Sequence, residues 1–155
     1  MSYPVSAEYR DVRVDTKIVL SGLWTAMLFV FAYVDIFGFF RADVLEAALD
    51  GTVALTGFTV SQGFLVGTTL YILLPCLMVV LSLVLRARAS RVLNLVVSVV
   101  YLISIVVACI GETWVYFLLG SAVEIVLLLV IARTAWAWPR SSHETTEVPA
   151  GVATP

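Results

Sequence analysis

Four stretches of this chain run with almost no charge for the roughly 20 residues that an α-helix needs to cross the hydrocarbon core of a bilayer. They are Ile18 to Phe40, with Asp35 its one charge; Phe64 to Leu85 and Val92 to Ile110, with none; and Trp114 to about Ala132, with Glu124 its one charge. Apolar residues occupy every side of these stretches instead of one stripe, so lipid, not water, is their natural solvent. Open strands are excluded at this depth, because their edge N–H and C=O groups would have nothing to bond. Composition agrees. Hydrophobic residues make up 61% of the 155 and charged residues 13%, against about 25% charged in an average chain. The expected fold is all-α, a four-helix transmembrane bundle over 18–138 with spans near 18–40, 62–85, 92–110 and 114–136. It is flanked by an N-terminal segment 1–17 and a polar, two-proline tail 139–155 that is expected to be disordered.

Local chemistry supplies the ends of the helices. Asp15 or Thr16 can cap the first span and Ser61 the second, Gly111 ends the third, and Pro139 follows the fourth. Trp24, Trp136 and Trp138 fit one interfacial belt, and Trp114, Tyr116, Phe39 and Phe40 the other. Residues 41–62 form the one sizeable loop. Within it, Ala42 to Leu49 reads as a short helix stopped by Gly51, and Thr52 to Val60 as an extended lid or small hairpin, together a cap over one mouth of the bundle.

Eight of the nine Lys and Arg residues fall on one side of a four-span arrangement: Arg10, Arg13, Lys17, Arg86, Arg88, Arg91, Arg133 and Arg140. Arg41 stands alone on the other. The positive-inside rule then expects a multi-pass protein of the cell membrane with both termini cytoplasmic and the cap external. The first span is too long for a signal h-region and lacks a small-residue cleavage site.

Several chemistries find no support. Cys76 and Cys109 share no CxxC spacing and sit in apolar runs, which fits small buried hydrophobes better than a thiol-redox or zinc site. The one histidine, His143, has no ligand partners in sequence, so neither a metal nor another cofactor is expected. A formal net charge of −2 gives no reason to expect nucleic acid. The lipid bilayer is the partner the sequence demands, and a lipophilic small molecule is the further one it allows.

The few polar residues inside the spans carry the functional signal. Glu124 lies near the middle of span four, where a charge costs roughly 2.5 to 3.5 kcal/mol on insertion scales. It is expected to face the bundle interior as the neutral acid, either functional or bonded to a neighbouring helix as packing glue. Asp35, about one and a half turns from the outer end of span one, shares a face with Ser21, Trp24, Leu28 and Phe31. It lies nearer the outer surface than Glu124 by roughly 10 Å, an offset that suits a pocket open outward. Its bland alternative is a shallow acid at the interface. Gln62 opens span two at a similar depth. Gly63 and Gly67 have GxxxG spacing, which would draw Gln62 and Thr69 toward another helix. Pro75 should kink span two and free the carbonyl of Tyr71. Tyr116, Gly120 and Glu124 align on span four, and Tyr116 can either bind a ligand or anchor the interface.

Five short runs appear in a recognisable order: Leu23-Trp24-Thr25, Tyr33-Val34-Asp35, Ser61-Gln62-Gly63-Phe64-Leu65, Arg91-Val92-Leu93-Asn94 and Ser121-Ala122-Val123-Glu124-Ile125, with Ala135-Trp136-Ala137-Trp138-Pro139 closing the pattern. Over roughly Val14 to Pro139 the chain resembles a family of small four-span bacterial integral membrane proteins of unknown function. The resemblance carries no activity. It directs attention to Tyr33, Asp35, Gln62 and Glu124 and is silent on Glu112, read here as a plain loop charge.

Three functions compete. A binding protein would hold a lipophilic small molecule in the outer half of the bundle, with Asp35, Gln62, Glu124, Tyr116, Tyr33 and Trp24 as the candidate binding residues. A membrane-embedded enzyme would use Glu124 or Asp35 as a general acid on a lipid-like or isoprenoid substrate. A proton-coupled transporter ranks third: small four-span multidrug exporters carry their glutamate in the first span, not the fourth.

Overall fold

The computed structural model describes residues 13–54 and 56–138. The tail 139–155, the start of the N-terminal segment, and with them Arg10, Pro139, Arg140 and His143 lie outside the described residues. Among the described residues five helices follow one another: α1 (Thr16–Gly38), α2 (Ala42–Leu49), α3 (Gln62–Val84), α4 (Ala87–Ala108) and α5 (Val115–Trp136). The four long ones have 22 or 23 residues each and are apolar enough to cross a membrane. At 1.5 Å per residue each is about 33 to 35 Å long, which matches a hydrocarbon core of about 30 Å.

α1 and α3 begin where a side chain satisfies a free N–H group. Asp15 Oδ1 accepts from the Lys17 amide at 2.7 Å, and Ser61 Oγ accepts from Phe64 N at 3.2 Å. The Lys17 ammonium reaches over to donate to the carbonyls of Leu83 and Leu85, 3.1 and 2.8 Å away, at the end of α3. A cation there complements the negative end of the helix dipole. α4 starts a turn earlier than its apolar run, because its first turn carries Arg88, Ser90 and Arg91 beyond the uncharged window.

α1 packs between α3 and α5, and α4 packs mainly on α5. All adjacent long helices are antiparallel, and α1 faces α4 across the bundle. The core is a seam of residues at helical spacing: Leu20, Trp24 and Met27 on α1, Met78 on α3, Val97, Tyr101 and Ile105 on α4, and Leu128 and Ile131 on α5. At Gly120 of α5 an added Cβ would overlap the Val34 side chain, so glycine here sets the close approach of α1.

Between α1 and α3, Arg41 leads into α2. Gly51, at φ +69°, ends that helix with a left-handed residue. A small hairpin follows, bridged at Thr52 and Thr59 and closed by Val53 N to Phe58 O at 2.8 Å.

The packing of the helices departs from the sequence-based expectations, first in that Cys76 is exposed and Cys109 only half-buried. Trp24 is not interfacial. It is fully buried, and its indole N–H donates to Asn94 Oδ1 at 2.7 Å across the bundle. The GxxxG face of α3 meets no other helix: nothing approaches a Cβ at Gly67, and at Gly63 the nearest atom is Ser61 Oγ. Thr69 bonds the Leu65 carbonyl of its own helix at 2.8 Å, so it needs no neighbour. All of α3 up to Leu70 is exposed, and the helix joins the core only from Tyr71 and Pro75 onward.

Candidate functional site

The two ends of the bundle are distinguished by charge. Lys17, Arg86, Arg88, Arg91 and Arg133 gather at one end, and the cap and the α4–α5 turn lie at the other. We call these the arginine end and the cap end.

Polar groups in the arginine half are paired with one another. Asn94 Nδ2 donates to the Ser90 carbonyl and hydroxyl at 2.8 and 3.2 Å. Its Oδ1 accepts from Trp24 and lies 3.1 Å from Ser82 Oγ. The Ser82 hydroxyl has one proton, and the Met78 carbonyl at 2.7 Å competes for it.

At mid-bundle Pro75 interrupts α3. Having no N–H, it leaves the Tyr71 carbonyl without its helical partner. The Tyr101 hydroxyl donates to that carbonyl. The two tyrosine rings stack with centroids 4.7 Å apart, and the Tyr71 hydroxyl lies 2.6 Å from Ser104 Oγ. The acceptor that the proline frees was legible in sequence; the donor was not.

Toward the cap end lies a cavity of about 270 Å³ between α1, α3, α4 and α5. Its polar lining is Asp35, Tyr71, Ser104, Ser121 and Glu124, and Phe31, Val34, Ile105, Ala108 and Phe117 supply the apolar walls. Glu124 is 3% exposed. Its Oε1 is the buried side-chain oxygen that, among the described residues, has no hydrogen-bond partner. An unmade hydrogen bond at a buried carboxyl costs about 1–3 kcal/mol or more, so it needs an explanation. Asp35 sits at the exposed rim. It also lines a second, apolar groove of about 590 Å³ between α1 and α3, which shares Phe31 with the cavity.

The other candidate residues stand elsewhere. Gln62 heads α3 on its exposed stretch, outside the cavity. The expected shared depth with Asp35 does not bring it in, because α3 packs only beyond Tyr71. Tyr33 is 56% exposed on the outer face of α1, beside Phe37; it is adjacent in sequence to the inward Val34 and so points away. Tyr116 does not line the cavity either. Its hydroxyl lies 3.7 Å from a Cβ built at Gly38, toward the cap. Trp24 belongs to the arginine half.

A cluster missed in the sequence closes the cap end. Arg41 is 6% exposed. Its Nη2 and Nε donate to Asp43 at 2.6 and 3.1 Å, its Nη1 donates to Glu112 Oε2 at 2.9 Å, and its guanidinium lies 4.8 Å from the Trp114 ring centroid. Glu112 Oε1 in turn accepts the amides of Thr113 and Trp114 at 2.8 and 3.0 Å, at the start of α5. Hydrogen bonding to Asp43, then to Glu112, holds the Arg41 charge more firmly than in a free arginine. The Asp43 carboxyl falls below its ordinary range, chiefly through its bond to Arg41. Burial pushes the Glu112 carboxyl up, but Arg41 and the two amides outweigh it and hold it below its ordinary range. Glu112 is therefore a tie between the α1–α2 junction and α5, not a plain loop charge. Arg41 followed at i+2 by Asp43, and an acid directly before a helix start, were the available signals.

No group of three His, Cys, Asp or Glu side chains suited to a metal converges among the described residues. Residues 8–145 match a family of unknown function (DUF6326). No curated protein and no solved structure matches.

Proposed function

The chain belongs to this family of unknown function, whose description names no chemistry, and we propose from the site itself that the protein holds a lipophilic small molecule in the cap half of its bundle. The observation that carries this is Glu124: nearly fully buried, one oxygen unpartnered, at the wall of a cavity shared with Asp35. An apolar pocket with a few convergent polar groups is the usual form of a small-molecule site. In this reading Glu124 is the inner contact, Asp35 the rim contact, and Ser104, Ser121 and Tyr71 supply hydroxyls between them. The lysine and arginine distribution favours a membrane orientation with the arginine end cytoplasmic and the cap outside.

The same buried acid supports a second reading, in which it delivers a proton to a lipid-like substrate as a general acid. The two separate by substitution. Glu124→Gln keeps shape and hydrogen bonding but removes the titratable proton; Glu124→Leu removes both. Lipid extracted from purified protein is compared by mass spectrometry for the wild type and both variants. Binding predicts a species retained by the wild type, largely retained by Glu124→Gln and lost from Glu124→Leu. Proton delivery predicts that Glu124→Gln retains an unconverted species that the wild type turns over. An identical lipid profile in all three would overturn both readings.

A further inference from the structure

The apolar groove between α1 and α3 opens on the outside of the bundle, on surface that faces lipid once the helices span a membrane. Thr25, Leu28, Phe29 and Ala32 of α1 and Ile72, Cys76, Val79 and Val80 of α3 form its walls. It adjoins the Glu124 cavity, with Phe31 and Asp35 lining both. The groove exists because α3 packs against the core with Pro75 and Met78 while Cys76 and Val80, on its other side, stay exposed.

Charge decides what the head of a ligand can be. The cavity offers two carboxyl groups and three hydroxyls, and among the described residues no Lys, Arg or His lines either the cavity or the groove. The nearby guanidinium of Arg41 is committed to Asp43 and Glu112. An anionic head would meet two acids without a cation, a pairing that costs free energy at low dielectric. A head that donates hydrogen bonds would satisfy the bare Glu124 oxygen.

Resting on the binding role above, we propose that the ligand is a single-chain amphiphile with an uncharged or cationic hydrogen-bond-donating head, an alcohol or an amine. The head lies at Glu124 and Asp35, and the hydrocarbon chain lies in the α1–α3 groove, entered sideways from the bilayer. The chain leaves one hydrocarbon surrounding for another and gains only packing contact in the groove, so the two acids choose the head.

Cys76 reports on the groove directly, because its exposed thiol lines it. Cys109, at the C-cap of α4 and outside both lining sets, is the internal control. The full chain in nanodiscs is treated with a membrane-permeant maleimide in the presence of hexadecylamine, hexadecanol or palmitate, and modification of each cysteine is followed by peptide mass spectrometry. With ligand at about ten times its Kd, amine or alcohol is expected to slow Cys76 labelling about tenfold, to leave Cys109 unchanged, and to lose this effect in Glu124→Leu and weaken it in Asp35→Asn. Palmitate is expected to give no protection. Protection by the amine alone makes the head a cation; protection by the alcohol as well makes hydrogen bonding sufficient. Equal protection by palmitate would overturn the choice of head. Amine or alcohol that binds in a Glu124-dependent way while Cys76 reacts at its free rate would overturn the groove as the chain's path and leave the site itself standing. If neither binds in a Glu124-dependent way, both fall.

Discussion

Within the four long helices, the two halves of this bundle treat buried polar groups in opposite ways. In the arginine half, Trp24, Ser82, Ser90 and Asn94 are all fully buried and bond to one another or to helix carbonyls. In the cap half, Glu124 is almost as deeply buried and lines a cavity, yet one oxygen has no partner. Both halves are made of the same four helices in the same apolar surroundings, so the difference comes from packing. Polar groups that meet across a closed seam act as structure; a polar group left facing open space is available to something else. Three features of the fold produce the opening: α3 stays unpacked before Tyr71, Pro75 interrupts it, and Gly120 draws α1 onto α5 on the opposite side.

The largest effect is expected where the closed half is broken. Asn94→Leu strands the Trp24 indole N–H and removes the partner of two serines. Single hydrogen bonds between membrane helices average about 0.6 kcal/mol, and orphaned buried groups cost about 1–3 kcal/mol. A loss of about 2–3 kcal/mol is therefore expected, read as a clear fall in the thermal unfolding midpoint in detergent. A midpoint equal to the wild type would mean the Asn94 network is not structural.

A smaller effect tests the border between the halves. Tyr101→Phe removes the donor to the Tyr71 carbonyl and is expected to cost about 1 kcal/mol. Pro75→Ala restores an N–H that can reach the same carbonyl along the helix. In that background Tyr101→Phe should cost much less. A double-mutant cycle measures this coupling, and strictly additive losses would show that the proline and the tyrosine are unrelated.

The smallest effect concerns the cap. Glu112→Gln weakens the tie to Arg41 while Asp43 still holds the guanidinium, so the unfolding midpoint should fall by less than for Tyr101→Phe. The tie also has a pH signature. Asp43 and Glu112 both sit below their ordinary range when folded, so their stabilisation is full above that range and is lost as pH falls through it. Stability attributable to the tie, taken as the wild type minus Glu112→Gln, should be flat from neutral pH to about 5 and shrink below about 4. A difference that grows on acidification would contradict the ion-pair assignment.

Much of this could be read without coordinates, because bilayer thickness and backbone hydrogen bonding leave few choices. The four long helices, the short α2 ended by Gly51 and the prominence of Asp35 and Glu124 follow from hydropathy and from the rarity of charge in such runs. What could not be read depends on which sides of the helices meet. Gln62, Tyr33 and Tyr116 have plausible depth, but depth does not give direction, and α3 being unpacked before Tyr71 removes Gln62 altogether. Trp24 reads as interfacial until its partner seventy residues away is known. Some of the missing information was nevertheless present. Ser90, Asn94, Ser98, Tyr101 and Ile105 recur at helical spacing and mark the buried face of α4, a stripe that opens with three small polar residues. Ser104 and Tyr71 entered the site only once the packing of α3 against α4 had placed them.

The most direct test of the division between the halves is thermal unfolding of Glu124→Leu, measured beside Asn94→Leu in the same detergent without added ligand. If Glu124 serves a ligand and not the fold, replacing an unpartnered buried acid with an apolar side chain should leave the midpoint unchanged or raise it. Asn94→Leu should lower it. A fall for Glu124→Leu as large as that for Asn94→Leu would show that Glu124 is structural glue, and the cap half would then be no different in kind from the arginine half.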